Sequence, residues 1–306
     1  MARSLALLLV FFAAGCAGEQ AIPAGSFTNT LGMKLVLMPA GEYLMGSPDS
    51  DPDANNNEKP QHRVRITKPF YIGAHEVTRG QFAKFVAATN YRTDVERTAK
   101  GGEGYDETGD FDRKPEYSWR NIGLPQTDEH PVVNVSWNDA KEFCRWLGGK
   151  EGKTYDLPTE AQWEYACRAG TTTRFHNGDD LEGLAVIGNV IDRTGVDQFP
   201  RWRVMNSLQA RDGHAFIAPV GCYQPNNAGL YDMSGNVWEW CSDAYDRDFY
   251  KTSPVDDPVS RSVDPYYRTI RGGAFDYGGV HSRSANRDGG NSAWDVRRGF
   301  RVIAVP

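Results

Sequence analysis

Six histidines, five cysteines and 40 carboxylates are the residues of this 306-residue chain that could hold a metal or act as acid, base or nucleophile. The histidines stand at 62, 75, 130, 176, 214 and 281, and none falls in an HxxxH or HExxH spacing. A helix-borne zinc or iron site is therefore not encoded locally. Cys144, Cys167, Cys222 and Cys241 include no CxxC pair, which argues against structural zinc. There is no GxSxG elbow, P-loop or GxGxxG turn. The stretch "DSDPDANNNEKP" (49–60) alternates Asp49, Asp51, Asp53 and Asn55 as a calcium loop does. Ala54 and Pro60 stand where such a loop needs glycine and glutamate, so it reads as a solvated acidic loop. The densest stretch is "GLYDMSGNVWEWCSD" (229–243), whose apolar residues fit neither helical nor strand spacing well.

Elements that must position these groups are marked by local signals. "GMKLVLMPAGEYLMGS" (32–47) reads as two short strands around the turn Pro39–Gly41, and "HRVRITKPFYIG" (62–73) as strand. Thr78 can cap a helix over 77–90 with Phe82, Phe85 and Val86 as its stripe. Ser136 with Asp139 opens a helix that Gly148–Gly149 should end, and Thr159 with Gln162 opens another that Gly170 stops. Residues 99–130 look irregular, and after 170 no clear helix is visible; short strands are expected at 267–275 and 299–304. No linker or long repeat divides the chain, so residues 27–306 read as one domain.

Arg3 and the ten apolar residues Leu5–Ala14 form a secretory signal over residues 1–15, too short for a membrane span. "AAGC" (13–16) resembles a bacterial lipoprotein box, which implies lipidation of Cys16, a tether over 16–26 and a place in the cell envelope. Ala17 suits outer-membrane sorting, facing the periplasm or the cell surface. An exported protein with four further cysteines can hold two disulfides. The formal net charge of −6 disfavours nucleic acid as a partner, while 8 Trp, 14 Tyr and 14 Phe argue against disorder.

Nine stretches, in order, resemble the formylglycine-generating enzyme (sulfatase-modifying factor) family. They include "MPAGEYLMGS" (38–47), "EKPQHRV" (58–64), "EVTRGQFAKF" (76–85), "HPVVNVSWNDAKEFCRWL" (130–147) and "LPTEAQWEYACRAG" (157–170). "AGLYDMSGNVWEWCSD" (228–243), "RTIRGGAF" (268–275), "RSANR" (283–287) and "GFRV" (299–302) complete the set. The resemblance implies a single α+β domain with little regular secondary structure, a variant related to the C-type-lectin-like fold.

The family's enzymes oxidise a substrate cysteine with oxygen and copper, using two cysteines between the RGG segment and the closing GFR. Here that segment, "RGGAFDYGGVHSRSANRDGGNSAWDVRRGF", has no cysteine, and the family's serine after the glycines is Ala274. Thiolates are what select Cu(I), so copper and formylglycine formation are both disfavoured. Cys144 and Cys167 match family cysteines whose two partner positions are, in chain order, Ser284 and Val302 here, leaving them as thiols or differently paired; Cys222 and Cys241 could pair with each other. The resemblance also implies two structural calcium ions. The first would use the side chains of Asn189 and Asp212 and the carbonyls of Val190 and His214. The second would use the side chains of Asp232 and Glu239 and the carbonyls of Gly235 and Val237. Hard oxygens of these kinds suit calcium.

The function expected on these grounds is an exported lipoprotein whose calcium-stabilised domain binds an envelope protein or small ligand, anchored to a membrane by its lipid. The groove residues would be Phe275, Asp276, Tyr277, His281, Arg283, Asn286 and Trp294. A divergent oxidoreductase or maturation enzyme of the same fold is the alternative, with His281 beside Tyr277 or Asp276 as acid–base or metal groups.

Overall fold

The computed structural model describes residues 25–202, 207–261 and 266–305. The signal sequence, Cys16 and the tether up to residue 24 lie outside the described residues. Five short strands come first: Phe27–Thr28 (β1), Lys34–Met38 (β2), Gly41–Met45 (β3), His62–Ile66 (β4) and Phe70–Gly73 (β5). The strands on either side of Pro39–Gly41 form, but not as a hairpin. β2 pairs with β5 and β3 with β4, both antiparallel, so the turn is a corner between two sheets. Residues 62–73 likewise split into two strands. Pro69 cannot donate to a ladder, and the Thr67 N–H leaves the sheet for Asp257 (2.9 Å).

The three expected helices are present. Arg79–Thr89 (α1) starts at Thr78, whose hydroxyl accepts from the Gln81 N–H (3.2 Å) while Gln81 accepts in return from the Thr78 N–H (3.0 Å). Trp137–Glu151 (α2) and Glu160–Arg168 (α3) start from the same reciprocal bonds at Ser136/Asp139 and Thr159/Gln162. The end of α2 corrects the expectation. The helix runs through Gly148 and Gly149 and stops at Gly152, which takes the left-handed conformation (φ 65°). Packing of Phe143 and Leu147 into the core outweighs the propensity cost of two glycines. A hairpin of Gly102–Tyr105 (β6) and Phe111–Lys114 (β7) and the short helix Arg193–Gln198 (α4) lie where irregular chain was expected.

The remaining strands are Tyr155–Asp156 (β8), Trp238–Ala244 (β9), Tyr267–Arg271 (β10), Arg287–Asn291 (β11), Arg298–Gly299 (β12) and Ile303–Ala304 (β13). They close a five-stranded sheet ordered β1-β2-β5-β13-β8 and a four-stranded sheet ordered β11-β10-β9-β12. β9 lies between two neighbours and is buried on both faces, with only Ser242 partly exposed. That explains why "WEWC" shows no strand alternation. The dense stretch is thus a loop (229–237) running into an inner strand. Phe82 and Phe85 meet Phe143 and Trp146 across α1 and α2 with ring centroids 5.4–5.9 Å apart.

Cys144, Cys167, Cys222 and Cys241 form no disulfide. The pairing of Cys222 with Cys241 is therefore not made: Cys241 is buried within β9, where burial pushes its thiol well above the ordinary value. Burial also pushes Cys167 up to about 11, partly offset by Ser284, one of the two expected partner positions; the thiol donates to the Met233 carbonyl (3.7 Å). Cys144 shares a core cluster with Val302.

The two helical glycines differ in surroundings. A Cβ on Gly148 would stand 2.8 Å from the Lys153 carbonyl oxygen, whereas one on Gly149 meets nothing within 4 Å. Gly149→Ala is expected to raise stability by up to about 1 kcal/mol, and Gly148→Ala to lower it; urea unfolding midpoints of the two variants check this.

Candidate functional site

The segment after β10 is shaped by Gly272 and Gly273, both left-handed (φ 99° and 82°). A Cβ on Gly273 would lie 2.4 Å from Ser282 Oγ, so the chain can double back only without one. Ala274 and Phe275 then turn into the core. Phe275 packs against Phe216 (4.6 Å), Trp202 (5.6 Å) and Tyr105 (5.8 Å). Asp276 accepts a hydrogen bond from the Tyr105 hydroxyl at 2.7 Å. Burial pushes its carboxyl up to about 6 against the pull of Arg297, 3.9 Å away. The Tyr277 ring meets His281 edge-on (5.4 Å) and Trp238 edge-on (5.6 Å). Burial lowers the His281 pKa, with the Arg283 charge adding to it, so the imidazole is neutral at pH 7.

The structure therefore brings Tyr277 and His281 together, while Asp276 turns to Tyr105 and Arg297 and Phe275 packs into the core. Arg283 lies elsewhere, in the interior, whereas Asn286 is buried beside His281. Both ends of the Arg283 guanidinium bond Glu58 (2.7 Å each), and Arg283 also reaches Asp51 (3.0 Å). Burial would raise Glu58, but Arg283 holds it below its ordinary value. Asn286 donates to the His281 carbonyl (2.8 Å). Trp294 is half-buried with its indole N–H unpartnered.

Beside this segment is a cavity of about 420 Å³. One wall is the Asn55–Asn57 turn; the other is Tyr245 and Arg247 with the start of β11, Arg287 and Asp288; His281 and Asn286 complete it. Sequence reasoning missed the turn and Tyr245. Asn57 meets Tyr245 188 residues away and the Arg287 carbonyl 230 away, and no local pattern encodes such contacts. A larger groove of about 700 Å³ is lined mainly by apolar residues such as Leu37, Met38, Tyr43 and Tyr165. Glu42 and Arg63 at its rim pair with each other, so it carries no convergent acid–base set.

Among the described residues no three His, Cys, Asp or Glu side chains form a group able to hold a metal. The calcium sets each join two side chains to two backbone carbonyls and are of another kind. In the first, Asn189 Oδ1 is buried without a partner, and burial, with the Asp192 charge, pushes Asp212 up to about 8. In the second, Asp232 Oδ1 is buried without a partner, whereas Glu239 is held by Arg301 through two 2.6 Å bonds and by the Trp163 indole (2.9 Å). Glu76, absent from the sequence reading, has its own unpartnered oxygen; burial and the Asp232 and Glu239 charges push its carboxyl well up. The orphaned oxygens of Asn189, Asp232 and Glu76 suit a hard cation helped by backbone carbonyls, while Glu239 is already neutralised by Arg301. The segment after Gly273, with no thiolate, does not fit Cu(I).

Residues 23–305 match the sulfatase-modifying factor enzyme 1-like domain. The chain is 37% identical over 284 residues to a formylglycine-generating enzyme of Streptomyces coelicolor, covering 83% of this chain and 81% of that protein. It is 33% identical over 234 residues to an inactive C-alpha-formylglycine-generating enzyme 2 of Mus musculus, covering 69% of each. The structure of PvdO from Pseudomonas aeruginosa superposes with a TM-score of 0.76 at 29% identity, covering 94% of this chain and all of that one. The chain belongs to the sulfatase-modifying factor (formylglycine-generating enzyme) domain family, whose members include relatives named as active and as inactive. Its fold is that family's single mixed α+β domain.

Removing the Arg283 side chain would leave Glu58 buried and uncompensated. Arg283→Ala is expected to cost about 3–5 kcal/mol of unfolding free energy. Arg283→Lys should recover only part of it, since an ammonium cannot make the two-pronged contact. Denaturant unfolding of the three proteins measures both effects.

Proposed function

We propose that this chain is a ligand-binding member of the family that does not generate formylglycine by the two-cysteine copper route. One observation carries the reading: between Gly273 and Gly299, where the family places its thiolates, this chain has Asp276, Tyr277 and His281 and no cysteine. His281, which meets Tyr277 edge-on and lines the adjoining cavity, is where a ligand would be held, with Asp276 next to them in the chain. Calcium at the Asn189/Asp212 and Asp232/Glu239 sets would lock the loops beneath it by neutralising buried acids. The reading also takes the chain as an envelope lipoprotein anchored through Cys16, in the outer membrane; among the described residues no helix is long and apolar enough to cross a membrane.

A second reading, an enzyme of different chemistry, draws on Asp276. Its carboxyl is held near neutrality and bonded to Tyr105, as a general acid–base group would be.

Two measurements test the first reading. Metal analysis of the purified protein should find calcium, and the copper-treated protein should leave a cysteine-containing peptide unoxidised in air. Tight copper or iron with conversion of the peptide would overturn it. Chelation should lower the melting temperature and added calcium restore it, because a cation bound to the folded state alone stabilises that state. Separately, Cys16→Ser should move the protein from the membrane to the soluble fraction of its host cell, as read by fractionation.

A further inference from the structure

The cavity between the Asn55–Asn57 turn and β11 presents a balanced set of hydrogen-bonding groups. Arg247 is an exposed donor with no side-chain bond or ion pair among the described residues. The Tyr245 hydroxyl accepts from Asn57 Nδ2 at 2.8 Å and keeps its own proton to give. The Tyr245 ring meets the Arg287 guanidinium at 5.1 Å and the Gly289 backbone, where a Cβ would fall 2.5 Å from the ring. Its hydroxyl, more than its face, is therefore what a ligand would meet. The acceptors are Asn57 Oδ1, buried without a partner, and the exposed carboxylate of Asp288. Asn56 offers a donor and an acceptor from one exposed amide, and neutral His281 offers one of each.

Ligand classes meet this set differently. A phosphate or carboxylate only accepts: it suits Arg247 but leaves Asn57 Oδ1 unanswered and faces Asp288. An ammonium only donates and faces Arg247. A flat apolar molecule answers none of the groups. A hydroxyl donates and accepts at one atom, and vicinal hydroxyls on a ring repeat that pair at fixed spacing. We propose that this cavity is a saccharide site, with sugar hydroxyls bridging Asn56, Asn57 and Arg247. The inference rests on reading the cavity as the ligand site and names its ligand class. The volume of about 420 Å³ is in the range of small-ligand sites. The wall is preorganised, because Asn57 is tied to the Arg287 carbonyl (3.0 Å) and Glu58 is pinned by Arg283.

The test is calorimetric titration of the full chain with maltotriose, cellotriose and chitotriose, with inorganic phosphate and acetate as anion controls. At least one trisaccharide should bind saturably at one site. Asn56→Ala and Arg247→Ala should each weaken that binding roughly tenfold without moving the unfolding midpoint, since neither side chain has a partner to lose. No binding of any trisaccharide, binding undiminished in both variants, or binding of the anions instead overturns the proposal. Oxidation of a cysteine peptide alongside variant-sensitive saccharide binding would sink the non-oxidase reading and leave this site standing. Absence of both oxidation and saccharide binding would sink the ligand class alone.

Discussion

Four buried arginines from the last part of the chain each reach a buried carboxylate from an earlier part, and the rest of the architecture hangs on them. Arg271 bonds Glu164, Arg283 bonds Glu58, Arg287 bonds Glu160 (2.6 and 2.8 Å), and Arg301 bonds Glu239. Further N–H groups of theirs reach carbonyls: Arg271 to Ala285 (2.8 Å), and Arg301 to Gly73 (3.1 Å) and Tyr231 (3.0 Å). Buried pairs of this kind contribute little net stability against an apolar replacement, but breaking one is costly. Their effect here is to fix which segments lie together. In a chain with short strands and few long helices, hydrophobic burial alone would leave that choice loose.

The same pairs shape the site. Arg283 and Glu58 hold the Asn55–Asn57 turn, and Arg287 and Glu160 hold the start of β11, so the two cavity walls are set by charges behind them. In front remain groups with little left to bond: Asn56, Asn57 Oδ1, Arg247 and Asp288. His281 sits beside them, its charged form disfavoured by burial. The segment after β10 turns through Gly272 and Gly273 and presents oxygen and nitrogen groups, with no thiolate.

The parts of the fold legible in the sequence were those encoded within four residues. Thr78/Gln81, Ser136/Asp139 and Thr159/Gln162 announce their helices because the capping bonds join near neighbours. The end of α2 was misjudged because glycine propensity is weaker than the packing of Phe143 and Leu147. Strand partners were not legible: β2 and β3 adjoin in sequence yet enter different sheets. β9 escaped notice because burial on both faces erases alternation. The family's motifs located the segment holding Asp276, Tyr277 and His281. They did not reveal that Arg283 points inward, since its partner Glu58 is 225 residues away and a charged residue in a polar stretch reads as surface. Glu76 was overlooked because its environment is built by Asp232 and Glu239 from a distant loop.

One feature of the five-stranded sheet governs how the molecule is made. β13 pairs with β5 on one side and β8 on the other, so Ile303 and Ala304 occupy an inner place between strands laid down far earlier. During synthesis that slot stays empty until residue 304 has left the ribosome, and β8 has no other route into the sheet. The final pairing therefore closes loops more than a hundred residues long, which makes it a slow step of folding that the earlier strands must wait for.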